Sequence, residues 1–266
     1  MAAAGGGVNA RVAQDVPVRD DAGVAAANGG DALGKFPTIG WSAIAATVGG
    51  ALWVAHVARM EGIAREVGRP NLPVLIHPAF WRRRRIAIPG MEPGELPATS
   101  RSALEGAGFE IVEERSPSFL LDGSVLVTGE VDRTTPFETG FLGHEAHVHG
   151  SWQPDPLILD DQALVMRLAD RGLVILTGCG HAGIVNVVRH AQQLTGETRV
   201  AAVIGGFHLS GPMFEAIIEP TVEAFDELRP ALLMPAHCTG WKAVHRLAAR
   251  FPEAFVQSAV GTTLAL

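Results

Sequence analysis

The chain has 266 residues, of which 47% are hydrophobic and 18% are charged, a composition that is typical of a globular protein and excludes a disordered one. Its formal net charge of −7 offers no electrostatic basis for binding nucleic acid, so no nucleic-acid partner is expected. Two cysteines are too few for a disulfide framework, and the N-terminus lacks a secretory signal pattern, so we expect a cytoplasmic protein with reduced thiols.

The N-terminal region divides into two parts. Residues 1–40 are rich in Ala, Gly, Val and Asp without a clear period, which predicts a loose segment ahead of one domain over residues 41–266. The apolar stretch "WSAIAATVGGALWVAHVA", residues 41–58, approaches the ~18 residues of a membrane span. Its many Ala and Gly residues favour a buried strand and turn, so no membrane partner is expected. A membrane-anchored protein would require this stretch to partition into bilayers.

The middle of the chain predicts short elements. "NLPVLIHP" reads as a buried strand that Pro78 ends, and "SRSALEGAGFEIVEE" as a helix capped by Ser100, a glycine turn and a strand. "SPSFLLDGSVLVTGEV" is typical of a hairpin that turns at Asp122-Gly123. A polar loop is expected from Asp132 to Asp155.

Several polar groups here have two interpretations. The polar loop carries His144, His147 and His149, which favour a solvated or substrate-covering loop over an adventitious metal site. The arginine run 82–85 is typical of a solvated charge run, with contact to a phosphate-bearing substrate as the alternative. Asp160 and Asp161 fit a turn between strands as well as they fit neighbours of a site.

The C-terminal third repeats one pattern three times. An apolar strand runs into a loop of small residues that carries a histidine, and a helix follows: "GLVILTGCGHAG" with His181, "VAAVIGGFHLSGP" with His208 and "ALLMPAHCTG" with His237. This alternation indicates an α/β protein, in which sites assemble at the carboxyl ends of the strands. Imidazole is the commonest ligand of zinc and similar metals, so three histidines in equivalent loops predict a shared metal site.

These strings, together with "LVTGEVDRTTPFE" and "DPLILDDQAL", resemble the metallo-β-lactamase-fold family, in the group of the dihydropterin–ribofuranosylaminobenzene phosphate synthase of methanopterin synthesis. The likeness covers the chain from about residue 71 to the C-terminus. It implies a four-layer αβ/βα sandwich with metals in a cleft at one edge of two facing sheets.

The resemblance also implies the metal ligands. His181 of "TGCGH" and His237 of "PAHCTG" match metal ligands of the group. Cys179 is either a further ligand as a thiolate or a packing residue. Cys238 is expected to point elsewhere, because side chains adjacent to a ligand usually do.

The same resemblance places His208 of "GGFHL" and Glu130 of "TGEV" near the cleft, as substrate-binding or supporting residues. One or two divalent metal ions are implied as cofactors, zinc first, with iron or manganese as alternatives. No side chain is assigned a catalytic role beyond that of a metal-bound water.

One departure from the family is large. The signature His-x-His-x-Asp-His is absent, and the segment in its place is "IAATVGGALWVAHVARMEG". When His56 is set on the last histidine of the signature, Ala51, Trp53 and Ala55 stand at its other three ligand positions. Either the protein is a degenerate member, or residues 1–59 come from an incorrect reading frame, which resequencing of the coding DNA would reveal.

This departure limits the metal chemistry. Each half of a dinuclear site would keep fewer than the three protein ligands of a usual catalytic zinc, whereas His56, His181 and His237 together would hold one metal. We therefore expect a metal-dependent hydrolase or transferase-like enzyme that acts on a small, pterin-like or phosphorylated molecule. The alternative is a non-catalytic protein that binds a small ligand in the cleft without a dinuclear site.

Overall fold

The computed structural model describes residues 72–266. In chain order the strands are β1 (Leu72–Ile76), β2 (Arg84–Ile86), β3 (Gly94–Glu95), β4 (Phe109–Glu113), β5 (Ser118–Leu120), β6 (Val125–Val127), β7 (His144–Val148), β8 (Ser151–Pro154), β9 (Ala163–Leu168), β10 (Gly172–Thr177), β11 (Val200–Gly206) and β12 (Leu233–Ala236). The α-helices are α1 (Arg101–Gly106), α2 (Ile184–Thr195), α3 (Pro212–Glu215), α4 (Ile218–Leu228) and α5 (Trp241–Arg250), and short 3-10 helices cover Pro78–Trp81 and His237–Thr239.

A six-stranded mixed sheet forms the centre, in the order β12-β11-β10-β9-β6-β5. β10, β11 and β12 run parallel, and β9, β6 and β5 continue the sheet with antiparallel pairing. Every residue of β10 is buried, as is typical of a strand covered on both faces. Each of the three parallel strands leads through a histidine-bearing loop to a helix, which confirms the predicted repeat. The predicted hairpin is confirmed in β5 and β6.

The two faces of this sheet have separate hydrophobic cores. On one face, Ile184 of α2, Phe225 of α4 and Leu247 of α5 are fully buried in one cluster with Ile175 of β10. On the other face, Leu75 of β1 packs into a second cluster beneath the same sheet.

β1 connects this second core to an outer layer. It pairs in parallel with β4, and its Val74 and Ile76 side chains pack with Leu104 of α1 and with Phe109. Because successive side chains of a strand point to opposite faces, β1 lies between the central sheet and α1. The layers are therefore helices, six-stranded sheet, β1–β4 pair and α1, which confirms the expected αβ/βα sandwich.

A separate antiparallel sheet corrects the prediction for residues 132–155. Its order is β3-β2-β7-β8, so the expected polar loop contains two strands. β7 begins with an alternation, with His144 at 5% and Ala146 at 1% exposure and Glu145 between them only partly buried. The sequence "HEAHV" hides this period because a histidine occupies one of the buried positions.

The interpretation of the arginine run as fully solvated is also wrong. Arg84 is buried; its Nε donates to Asp155 Oδ2 at 3.0 Å and its Nη1 to Asp160 Oδ2 at 2.9 Å, while Nη2 donates to Asp160 Oδ1. Arg83, the residue before β2, is exposed and pairs with Glu95. The strand therefore buries one arginine of the run, and the ion pair of that arginine with Asp160 connects the small sheet to the loop before β9.

Three expectations concern parts of the chain that lie outside the described residues: the loose segment 1–40, the domain start at residue 41, and residues 41–58 with His56. Within 72–266, none of the helices combines the length and the apolar character that a membrane crossing requires.

We predict that Arg84→Met lowers the free energy of unfolding by about 3–5 kcal/mol, because the substitution leaves two buried carboxylates without their cation. Arg83→Met is the matched control and should cost less than about 1 kcal/mol, since it removes an exposed ion pair with Glu95 and an exposed contact with the Trp152 ring. Urea denaturation of both variants measures the difference. Equal losses would show that the buried ion pair does not hold the small sheet.

Candidate metal centre

The three loop histidines lie at one edge of the central sheet. β10, β11 and β12 are parallel neighbours, so their carboxyl ends meet at the same edge. His181 and His208 follow within four residues of β10 and β11, and His237 directly follows β12. The structure therefore brings the three predicted loops together.

Cys179, His237 and Cys238 form a tight cluster at this edge. His237 Nε2 lies 3.2 Å from Cys179 Sγ, and the ligating atoms of all three residues lie within 4.8 Å of one another. The Cys238 thiol donates to the Cys179 carbonyl oxygen at 3.2 Å. The expectation that Cys238 points away is wrong, because the 3-10 turn His237–Thr239 curls the backbone and does not send neighbouring side chains to opposite sides as a strand would.

A hydrogen bond between the two thiols of this cluster shifts their pKa values in opposite directions. The hydrogen bond with Cys238 and burial raise the pKa of Cys179 to about 11, while the same bond lowers the pKa of Cys238. Without a metal, Cys179 is therefore a neutral thiol at neutral pH, and Cys238 is the first of the two to ionise.

Gly206, the last residue of β11, provides the space for the cluster. A Cβ at this position would lie 2.6 Å from both Cys238 Sγ and His237 Nε2. The Gly206 N–H donates to the Gly178 carbonyl oxygen at 2.7 Å, and a Cβ on Gly180 would lie 2.6 Å from the Gly206 carbonyl oxygen. Only glycines permit such close approach of the loops.

His181 lies beside a buried acidic side chain, Asp161. Its Nδ1 lies 4.0 Å from Asp161 Oδ1, and Asp161 Oδ2 accepts from the Ala182 N–H at 2.8 Å. Burial lowers the pKa of His181, but a hydrogen bond with Cys179 and the charge of Asp161 outweigh it, so the pKa is raised. Asp161 is thus a neighbour of the site, as one of its two interpretations proposed, and its unpartnered Oδ1 faces the His181 ring without a hydrogen bond to it.

His208 presents two unused nitrogens. Its ring centroid lies 4.5 Å from that of His181 and 4.4 Å from that of Phe214. Both nitrogens are buried and have no hydrogen-bond partner within the described part of the chain. Burial, with the charges of His181, His237 and His144, lowers its pKa to about 3. Because an unsatisfied buried polar group costs about 1–3 kcal/mol, this neutral ring is poised to bind a ligand.

Glu130 is hydrogen-bonded to His77 and Arg115 and to none of the three loop histidines in the described bonds. Its Oε1 accepts from His77 Nε2 at 2.8 Å and from Arg115 Nη1 at 3.1 Å. The bond with His77 lowers the pKa of Glu130, so the group is a carboxylate at neutral pH. The structure places it in an ion-pair network between β1 and β6.

The N-terminus of α2 is capped by a buried side chain that no sequence pattern singled out, Glu138. Glu138 accepts from the Val185 N–H at 2.9 Å and from the Asn186 N–H at 2.8 Å, satisfying two free donors at the helix start. Its side chain fills the space beside Gly183, where a Cβ would lie 2.3 Å from the Glu138 carboxyl carbon. The Thr135-x-x-Glu138 spacing is that of a capping box, but no helix begins at Thr135, and the helix that Glu138 caps starts 46 residues later.

The donor set at this edge fits a divalent metal. Two thiols and nearby imidazoles are the ligands that zinc prefers in proteins. The unpartnered Asp161 Oδ1 and His208 nitrogens add buried polar atoms that a bound ion or ligand would satisfy. The residues present are therefore chemically suited to the ion, within the part of the fold that the structure describes.

Comparisons with known proteins identify relatives of this chain. The 7,8-dihydropterin-6-methyl-4-(β-D-ribofuranosyl)-aminobenzene-5′-phosphate synthase of Methanocaldococcus jannaschii is 30% identical over 204 residues, 75% of this chain and 68% of that protein. An uncharacterized protein of the same organism is 30% identical over 144 residues, which are 54% of this chain and 50% of that protein. The solved structure of a metal-dependent hydrolase of the β-lactamase superfamily matches with a TM-score of 0.61 and 25% identity, over 75% of this chain and 73% of that chain. No family model matches the chain.

We predict that His208 does not titrate near neutral pH. Since its pKa is about 3 in the folded protein and about 6.5 in an unfolded chain, its contribution to stability falls as the pH drops from about 6.5 towards 3. NMR titration of the ring protons, assigned with His208→Gln, measures the midpoint in the metal-free protein. A midpoint near 6.5 would show that the ring is solvated or paired.

Proposed function

We propose a divalent-metal-dependent reaction on a small molecule for this chain, which belongs to the metallo-β-lactamase-fold family and, within it, to the group of the dihydropterin-linked synthase. The observation that carries the proposal is the Cys179–His237–Cys238 cluster at the edge where three strand-end loops meet. The name of the methanogen relative supports a pterin-like or phosphorylated substrate, handled by a hydrolase or transferase-like enzyme.

His181 and His237 are the proposed metal ligands, with Cys179 as a third. A hydrogen bond with Cys179 raises the pKa of His237 and also acts on His181, so the two imidazoles flank one sulfur. His56 is a further proposed ligand from outside the described residues. Zinc is the first choice of metal, with iron or manganese as alternatives, and one or two ions per chain. When bound, such an ion lowers the pKa of a coordinated water to ~7 and supplies a nucleophile at neutral pH.

The side chains around these ligands have separate tasks. Asp161 places a carboxyl oxygen 4.0 Å from His181 Nδ1. His208, as a neutral ring, is able to donate one hydrogen bond to the substrate and to accept another, and Phe214 supports its ring. Glu130 is proposed as a substrate contact because of its match to the family alone.

The second candidate is a ligand-binding protein without catalysis. It is favoured by residues 51–56, where a single histidine stands in place of the four ligands of the family signature. In either case we propose a small-molecule partner, no nucleic acid, and a cytoplasmic location, since both cysteines are unpaired thiols in the cluster and a reducing compartment would keep them so.

Metal analysis of protein purified without a His tag tests the ligand assignment. We expect about one or two ions per chain in the wild type and at least a roughly tenfold loss of bound metal in the His181→Ala, His237→Ala double variant, because both imidazoles are removed. His245→Ala, which removes an exposed histidine of α5, is the control and should keep its metal. Equal metal in the wild type and the double variant would contradict the assignment.

A second measurement separates the two candidate functions. Equilibrium dialysis with a dihydropterin, with and without a chelator, reports whether ligand is bound and whether it is converted. Conversion that the chelator abolishes is expected of the enzyme. Binding without conversion, unchanged by the chelator, would favour the ligand-binding protein.

A further inference from the structure

We infer that Cys238 is a metal ligand, so that two thiolates, Cys179 and Cys238, and the His237 imidazole hold one ion, and the proposed ligand His181 is left for a second ion. This inference rests on the proposed function and deepens it. The three residues follow β10 and β12, both in the described part of the chain. The ion therefore does not depend on His56 or on the segment that lacks the family signature.

The first support is that the three groups already converge. Their ligating atoms lie within 4.8 Å of one another, and His237 Nε2 lies 3.2 Å from Cys179 Sγ. The absence of a side chain at Gly206 lets the second sulfur approach, since a Cβ there would lie 2.6 Å from Cys238 Sγ.

The second support is that the turn carrying His237 and Cys238 is fixed. Thr239 is fully buried, and its hydroxyl donates to the Ala236 carbonyl oxygen at 2.7 Å and accepts from the Phe207 N–H at 3.2 Å. These bonds tie the turn to the end of β11. A fixed turn holds both ligands in place, as a metal site requires.

The chemistry of this set selects among metals. Two thiolates with one imidazole form a soft ligand set, which suits zinc and disfavours manganese, an ion that prefers carboxylate, carbonyl and water oxygens. Three protein ligands are also the number that a catalytic zinc usually has, with the fourth position left for water or substrate. The set therefore satisfies the needs of a catalytic ion without the missing signature.

The cluster is open to solvent on one side. His237 is exposed and lines an open pocket of about 300 Å³ with Trp241, Val244, Gln257 and Ser258. His237 therefore belongs both to this pocket and to the cluster.

Cobalt(II) substitution of the full chain, untagged and with reduced thiols, tests the inference. Thiolate-to-cobalt charge transfer absorbs in the near ultraviolet, and we expect this band in the wild type. Cys238→Ser and Cys179→Ser should each lose roughly half of its intensity, because each removes one of two thiolate ligands. His245→Ala, which removes an exposed histidine of α5, is the control and should retain the full band.

The other outcomes distinguish a failure of the Cys238 inference from a failure of the proposed metal-dependent function. A full band in Cys238→Ser, or cobalt bound to the wild type without any band, would overturn the inference but leave a metal-dependent function in place. No cobalt binding would overturn both. If Cys238→Ser fails to fold, X-ray absorption of the zinc-loaded wild type decides: two sulfur neighbours at about 2.3 Å support the inference, and fewer than two overturn it.

Discussion

The site depends on the absence of a side chain at Gly206. Three loops, after β10, β11 and β12, converge on this residue: its N–H binds the Gly178 carbonyl oxygen, and its Cα faces Cys238 Sγ and His237 Nε2. Because protein interiors are densely packed, even a methyl group here would separate the sulfur atoms and the imidazole. The central sheet supplies the parallel strand ends, and this glycine lets their loops meet.

A second constraint ties the small antiparallel sheet to this edge. Asp160 and Asp161 are adjacent in the chain but act on different parts of the molecule: Asp160 pairs with Arg84 of β2, and Asp161 binds the Ala182 N–H and faces His181. The structural ion pair and the acidic side chain that faces a proposed ligand are therefore one peptide unit apart in the chain.

The sequence predicts the C-terminal architecture well because its strands are uniformly apolar and its loops are marked by glycine and histidine. The sequence does not predict features that depend on tertiary packing. Nothing in "RRRR" distinguishes Arg84 from Arg83 until β2 pairs and buries one of them. Nothing in "HEAHV" shows a strand until His144 finds a buried position. Cys238 joins the cluster through a 3-10 turn that the string "AHCTG" does not specify, and Glu138 caps a helix that follows 46 residues later.

The central claim is that a metal ion binds where these loops meet, with sulfur as well as nitrogen ligands. A crystal of the zinc-loaded protein, with anomalous scattering measured on both sides of the zinc absorption edge, locates the ion without reference to activity. The account predicts a peak at about 2.3 Å from the sulfur atoms of residues 179 and 238 and at about 2.0–2.1 Å from a nitrogen of His237. A peak bound to neither cysteine would contradict it.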